Sequence, residues 1–224
     1  MEKSCSGTVL GLAPLSSGYF LLELGEVPIV APGNNLQISG KTYGVMRSHP
    51  QRHSVALLGK GASPAWKTGE RLAYQLDTST FDIPAPQTNS RFLLVGEELG
   101  MAQIIFLAER LKQQRETEVT ALLGFCTPPP FRPAPSKIMM PPLPAHVIAA
   151  VPLLEAWGIA SRITNTNAMP GCYEGGLQHL VGHWLNDQEE TTGIEVFICA
   201  SQQTCRAIKE LAGEQTLSCL VIGD

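Results

Sequence analysis

RFLLVGEELGMAQIIFLAERL, residues 91–111, reads as a buried strand that turns through a glycine-bounded loop directly into an amphipathic helix. Residues 92–95 form a short continuous apolar run, the pattern of a parallel strand covered on both faces, and Gly96 and Gly100 bracket the turn. Downstream, Met101, Ile104, Ile105, Ala108 and Leu111 fall at helical spacing, while Glu109, Arg110, Lys112 and Gln113 mostly occupy the other side. In a doubly wound fold the phosphates of a nucleotide settle at such a turn, where unpaired backbone N–H groups and the helix dipole favour negative charge. Glu97 and Glu98 stand where a phosphate-cradling loop carries glycine. The same turn therefore has a second reading, in which each carboxylate stabilises the helix start by about 0.3–1 kcal/mol.

Upstream, residues 8–76 are short extended pieces separated by turn residues: GTVLGLAPL, GYFLLELG, PIVAPGNN, LQISGKTYGVMR, HSVALLGKGA and TGERLAYQL. Glycine and proline recur every several residues and no stretch sustains a helical period. Six strands in a small antiparallel barrel or sandwich are expected. STFDIPAPQTNS, with Pro84 and Pro86, reads as a linker. The boundary is placed there, with a first domain over residues 1–84 and a second over residues 90–224, a division that 224 residues accommodate comfortably.

Beyond the linker, strands and helices alternate, which predicts a parallel sheet. A second strand covers residues 118–125. TPPPFRPAPSKIMMPPLP, residues 127–144, neither continues a helix nor joins a central strand. It lines or covers a ligand site at the carboxyl edge of the sheet, packs on the surface as a polyproline segment, or docks a partner. Helical material is expected in AHVIAAVPLLEAWG, limited or kinked by Pro152 and stopped by Gly158. Next come a strand, IASRITNT, and the turn GCYEGG. A helix with the apolar stripe Leu177, Leu180, Val181, Trp184 and Leu185 follows, then a buried strand, GIEVFICA. A helix from an N-cap candidate, Ser201, to Gly213 precedes a last strand, TLSCLVI.

The bulk properties remove several function classes. A net charge of −4 and a pI near 5.7 give no electrostatic footprint for nucleic acid or an anionic membrane. No apolar run is long enough to cross a bilayer, and MEKSCSGTVLGL lacks a basic region followed by an apolar signal core, so a cytoplasmic protein is expected. Cys5, Cys126, Cys172, Cys199, Cys205 and Cys219 form no C-x-x-C pair, and reduced, packed thiols are the expectation. His179 and His183 lie four apart on a helix, but HLVGH has no acidic residue and no third ligand is evident, so no metal site is assigned. Neither a G-x-S-x-G elbow nor a P-loop is present.

The order of a small β-barrel followed by FLLVGEELGMAQIIFLAERL, GCYEGGLQHLVGHWL and VFICASQQTCRAIKELA resembles the ferredoxin reductase superfamily over most of the chain. Within it, the chain resembles the electron-transfer subunit of dihydroorotate dehydrogenase. The resemblance implies a barrel that holds FAD and a parallel-sheet domain that holds NAD(P). It further implies hydride transfer from nicotinamide to flavin and a redox partner subunit that takes the electrons. Lys41, Thr42, Tyr43 and Gly44 match the family's flavin strand of arginine, proline, aromatic residue and serine or threonine. Lys41 offers charge without a planar fork, Tyr43 a ring that stacks, and Gly44 no hydroxyl. Gly59, Lys60 and Gly61 keep a turn whose amides approach the FAD phosphates, with Ala62 where threonine is common, although the same turn also serves as plain hairpin chemistry.

By the same resemblance, Gly96 and Gly100 are what remains of the glycine run at the NAD(P) pyrophosphate. Cys199 and Ala200 match a cysteine-glycine pair whose thiol lies near the nicotinamide. That makes Cys199 the catalytic candidate, and a small buried hydrophobe is its other reading. The family's electron-transfer subunits end in a cysteine-rich segment for a two-iron cluster. Cys219 alone does not supply four ligands, so no iron-sulfur cluster is expected in this chain. Two functions stay open. One is a flavin-dependent oxidoreductase passing electrons from NAD(P)H through FAD to a partner. The other is a non-catalytic or repurposed relative, motivated by Gly44, Glu97, Glu98 and Ala200, that keeps the scaffold for a partner or another small ligand.

Overall fold

The structure is a computed structural model and describes residues 5–83, 90–114, 117–141, 143–186, 188, 193–213 and 216–221. Strands β1 (Cys5–Pro14), β2 (Tyr19–Gly25), β3 (Asn35–Ile38), β4 (Lys41–His49), β5 (Ser54–Lys60) and β6 (Arg71–Asp77) close an antiparallel barrel in the order β1-β2-β5-β4-β3-β6. Period-two alternation turns Val9, Leu22, Leu24, Leu36 and Leu57 into its fully buried interior. The strand number is as expected, but two boundaries differ. Of PIVAPGNN, residues 28–34 are a loop, because Pro28 and Pro32 have no N–H for a ladder and Asn34 Oδ1 accepts the Ala31 N–H at 2.8 Å to fix a turn. LQISGKTYGVMR is a hairpin, β3 to β4, about Ser39 (φ +51°) and Gly40 (φ +74°), the paired positive φ angles that match hairpin twist.

The second part is a five-stranded parallel sheet. In chain order its elements are β7 (Ser90–Glu97), α1 (Met101–Leu111), β8 (Thr117–Phe125), the short pair β9 (Ala134–Pro135) and β10 (Ala149–Ala150), then α2 (Pro152–Ala156), β11 (Ala160–Asn165), α3 (Leu177–Asn186), β12 (Ile194–Ala200), α4 (Gln202–Ala212) and β13 (Thr216–Val221). The sheet order is β11-β8-β7-β12-β13, with β7 at the centre as its apolar run requires. Phe92 and Leu94 face α1 and α2 on one side, while Leu93 and Val95 face α3 and α4 on the other. The linker prolines Pro84 and Pro86 lie outside the described residues. Among the described residues no helix is long and apolar enough to cross a membrane.

Two expectations about the second half are corrected. The helix read over residues 145–158 is confined to α2, because Ala149 and Ala150 pair with β9 and because Pro152 begins a helix well at its first position, where an N–H would go unpaired anyway. Cys205 of α4 and Cys219 of β13 form a disulfide, their Cα atoms 6.6 Å apart, while Cys126, Cys172 and Cys199 are free thiols.

The proline-rich segment wraps the edge strand β11. Buried Arg162 donates to the carbonyls of Val147 (2.8 Å), Ser161 (2.7 Å) and Ile138 (2.9 Å). Glu155 of α2 accepts from Ser136 Oγ (2.7 Å) and the Lys137 N–H (2.9 Å). Met140, Leu143 and Val147 join the α3–α4 core, so these prolines carry a packed strap. At its start, Pro129 and Pro130 are buried, and the Pro129 carbonyl accepts from Ser16 Oγ of the barrel at 2.9 Å.

Candidate functional site

The seam between barrel and sheet, at the carboxyl end of β7, brings Lys60 of the barrel to Glu98. Glu97 ends β7 and Glu98 opens a single tight turn before α1, with its backbone in the left-handed region at φ +51°. The two carboxylates diverge. Glu97 accepts from the Ser201 N–H and from Thr204 Oγ1, both at 2.9 Å, and so sits on the start of α4 beside the Ser201 N-cap. Glu98 turns toward the barrel. One of its oxygens accepts from Lys60 Nζ at 2.6 Å and from the Tyr19 hydroxyl, and the other from the Cys126 N–H at 2.6 Å. Neither carboxylate makes a side-chain cap hydrogen bond at α1.

Lys60 completes this cluster by lying 4.9 Å above the Tyr19 ring and donating to Thr127 Oγ1 at 3.3 Å. Burial pushes the Glu98 carboxyl up, but the hydrogen bonds from Lys60, Tyr19 and the Cys126 N–H, with the lysine charge, more than reverse this and hold it below 4.5. Burial and then Glu98 push the Tyr19 phenol up. Burial, followed by the charges of Glu98 and Glu97, raises the Cys126 thiol. The cluster is a lysine cation and a carboxylate sharing one side of the seam. Tyr19, Cys126 and Thr127 were not singled out by the sequence; Tyr19 is brought to Lys60 only by the β2–β5 register, which pairs them directly.

The flavin strand lies differently. Tyr43 turns into the barrel, its ring 5.9 Å from Phe20 and 6.0 Å from Trp66. Gly44 faces α1, so closely that an added Cβ would lie 2.9 Å from Ala102 Cβ and 3.0 Å from the Gln103 amide. Gln103 donates to Asn35, Arg47 pairs with Glu109 at 3.1 Å, and Phe106 of α1 packs into the barrel's apolar cluster. Lys41 is exposed at the strand start. Gly59 backs onto the Phe20 ring, whereas Gly61, at φ +115°, opens to space. Gly96 lets α1 approach β7, since a Cβ there would stand 2.9 Å from Leu123 and 3.0 Å from Ile104. Gly100 is buried at the helix entry with ordinary helical angles.

Cys199, next to last in β12, pairs with Gly96, is 2% exposed, and burial pushes its thiol up to about 12. Ala200 is fully buried in the α3–α4 core, facing away from the barrel. His183 packs its ring on Tyr173 at 5.5 Å, and no group of three ligating residues gathers for a metal among the described residues.

A flavin ring lying along β4 needs open space beside Gly44 and an aromatic face turned to meet it. Here α1 fills the space and Tyr43 points inward, so these residues do not fit an isoalloxazine in the family's way. A dinucleotide pyrophosphate at the β7 turn meets the side chains of Glu97 and Glu98, and the residues do not fit that group either.

No protein-family model matches the chain, and no curated protein matches it. Solved structures do. The ferredoxin reductase of carbazole 1,9a-dioxygenase matches with a TM-score of 0.70 at 16% identity, over 98% of this chain and 69% of that one. The flavohem-like FAD/NAD-binding domain of nitric oxide dioxygenase from Vibrio cholerae matches at 0.69 and 10% identity over 100% of both chains. Ferredoxin-NADP+ reductase from Plasmodium falciparum matches at 0.70 and 10% identity, over 98% of this chain and 97% of that one. With the closed barrel and the β11-β8-β7-β12-β13 sheet, these likenesses establish that the chain has the ferredoxin reductase fold.

Proposed function

We propose that this protein is a non-catalytic or repurposed relative of the ferredoxin reductases, which keeps their two-domain scaffold, residues 1–84 and 90–224, to bind a partner or a small ligand other than FAD. The observation that carries this reading is the direct contact of Gly44 with Ala102 and Gln103 in the place a flavin ring would need. The inward turn of Tyr43, the carboxylates of Glu97 and Glu98 in the nucleotide turn and the burial of Cys199 all support it.

A second reading has its own support. The whole-chain likeness to reductases and the open Gly61 turn beside Lys60 favour an NAD(P)H-dependent flavoprotein. Such a protein would pass electrons to a partner as the electron-transfer subunit of dihydroorotate dehydrogenase does. It requires α1 to withdraw from β4. Thermal melts with FAD, NADH and NADPH separate the two, because a ligand selective for the native state raises its stability. The scaffold reading expects no shift with any of the three, and stabilisation at micromolar cofactor would favour the flavoprotein.

A further inference from the structure

At the opposite end of the sheet from the seam, where β7, β8 and β11 begin, Arg91, Thr117 and Ala160 line a cavity of about 1020 Å³. Ile138 and Met140 of the strap and Trp184 of α3 give it an apolar wall. A space of this size and mixed lining suits a small molecule.

Two polar groups in the lining are buried without a partner. Thr120 is 5% exposed and Trp184 4% exposed, and neither the Thr120 hydroxyl nor the Trp184 indole N–H makes a hydrogen bond to any of the described residues. Thr120 pairs in register with Leu93 on one side and Ala160 on the other, so its side chain shares their face, the one that packs the α3–α4 core. Valine has nearly the same shape and no hydroxyl to desolvate, and it would serve better at a position kept for packing alone. An unpaired group in a buried lining is satisfied by what enters the cavity.

The donors set the chemistry of that occupant. The indole N–H and the Arg91 guanidinium only donate, and the Thr120 hydroxyl does either. Arg91 donates to Gln188 and pairs with Glu118 at 3.5 Å, where the Glu118 side chain is 67% exposed and the pair is correspondingly weak. An acceptor with negative charge meets this set, and an apolar ring beside it packs on Ile138, Met140 and Trp184. We infer that the cavity binds a small carboxylic acid with a flat apolar body, its carboxylate accepting from Thr120 and Trp184 within the charge of Arg91. The inference goes beyond the scaffold reading and does not rest on it, because the flavin question is decided at the seam, at the carboxyl end of β7.

The experiment is isothermal titration of the full chain with cinnamate, and in a second arm with cinnamyl alcohol, which keeps the flat body and lacks the carboxylate. The expected result is cinnamate binding that weakens about tenfold in Thr120→Val and in Trp184→Phe, while Thr120→Val melts no lower than the unsubstituted chain. No cinnamate binding, or equal affinity in Thr120→Val, would overturn the inference and leave water as the occupant. A lower melting temperature in Thr120→Val would show that the hydroxyl serves the fold, and would overturn it as well. Cinnamyl alcohol binding as tightly as cinnamate would overturn the carboxylate assignment.

Discussion

Gly44 and Ala102 meet across the seam, with room for no further atom between them: a Cβ on Gly44 would lie 2.9 Å from the Cβ of Ala102. The hydroxyl residue usual in the family's flavin strand thus has no place here. Gly44→Ser should destabilise the chain by about 1–3 kcal/mol through overpacking, read as a lower urea midpoint with unchanged slope. Adding Ala102→Gly should restore part of the loss, because the two atoms compete for one volume. An unchanged midpoint in Gly44→Ser would show that α1 does not hold β4 this closely.

Glu97 serves α4 across the sheet. Its carboxylate holds the Ser201 N–H and Thr204 Oγ1, both at 2.9 Å, and stands at the positive end of that helix. Glu97→Ala should cost about 1–2 kcal/mol from a charge-assisted pair and the dipole together. Amide exchange at residues 201–205 should accelerate more than elsewhere. Equal acceleration across the molecule would mean that Glu97 acts on global stability and has no special hold on α4.

The pH dependence of the Glu98 contacts has a definite sign. The folded chain holds this carboxyl below 4.5 once the donors from Lys60, Tyr19 and the Cys126 N–H outweigh burial. A depressed carboxyl contributes stability above its unfolded value and loses it as pH falls through the folded value. The stability difference between the unsubstituted chain and Glu98→Gln should therefore be constant near neutral pH and shrink below about 4.5. Urea titrations across that range test it, and a difference that grows on acidification would contradict the assignment.

How much was legible follows from which interactions are local. The helix at Met101–Leu111 has the limits its periodicity gives, because α1 buries one continuous stripe on the sheet. Six barrel strands were countable because turn residues separate them, yet Pro28 and Pro32 were read as strand although neither donates to a ladder. The seam was not legible. Tyr19, Lys60, Glu98 and Cys126 are far apart in the chain and meet only through barrel register and domain packing. Successive burial of Tyr43, Gly44 and Val45 means that both faces of β4 are covered. The sequence shows the small residue at 44 without showing that a helix fills the space beside it.

Arg162 pins the strap over β11 through the carbonyls of Val147 and Ile138, and donates to that of Ser161 in its own strand. Arg162→Ala leaves them unpaired and should cost about 3 kcal/mol or more. Lysine, without the planar fork, should rescue little of it. Limited trypsin digestion should cut after exposed Lys137 sooner in Arg162→Ala than in the unsubstituted chain. Resistance equal to that of the unsubstituted chain would show that Met140, Leu143 and Val147 hold the strap unaided.

The occupied space beside Gly44 is tested most directly by the visible absorption spectrum of the purified chain after incubation with excess FAD and gel filtration. A colourless protein with no retained flavin bands is the predicted result. Stoichiometric flavin, carried through the column with the protein, would contradict it.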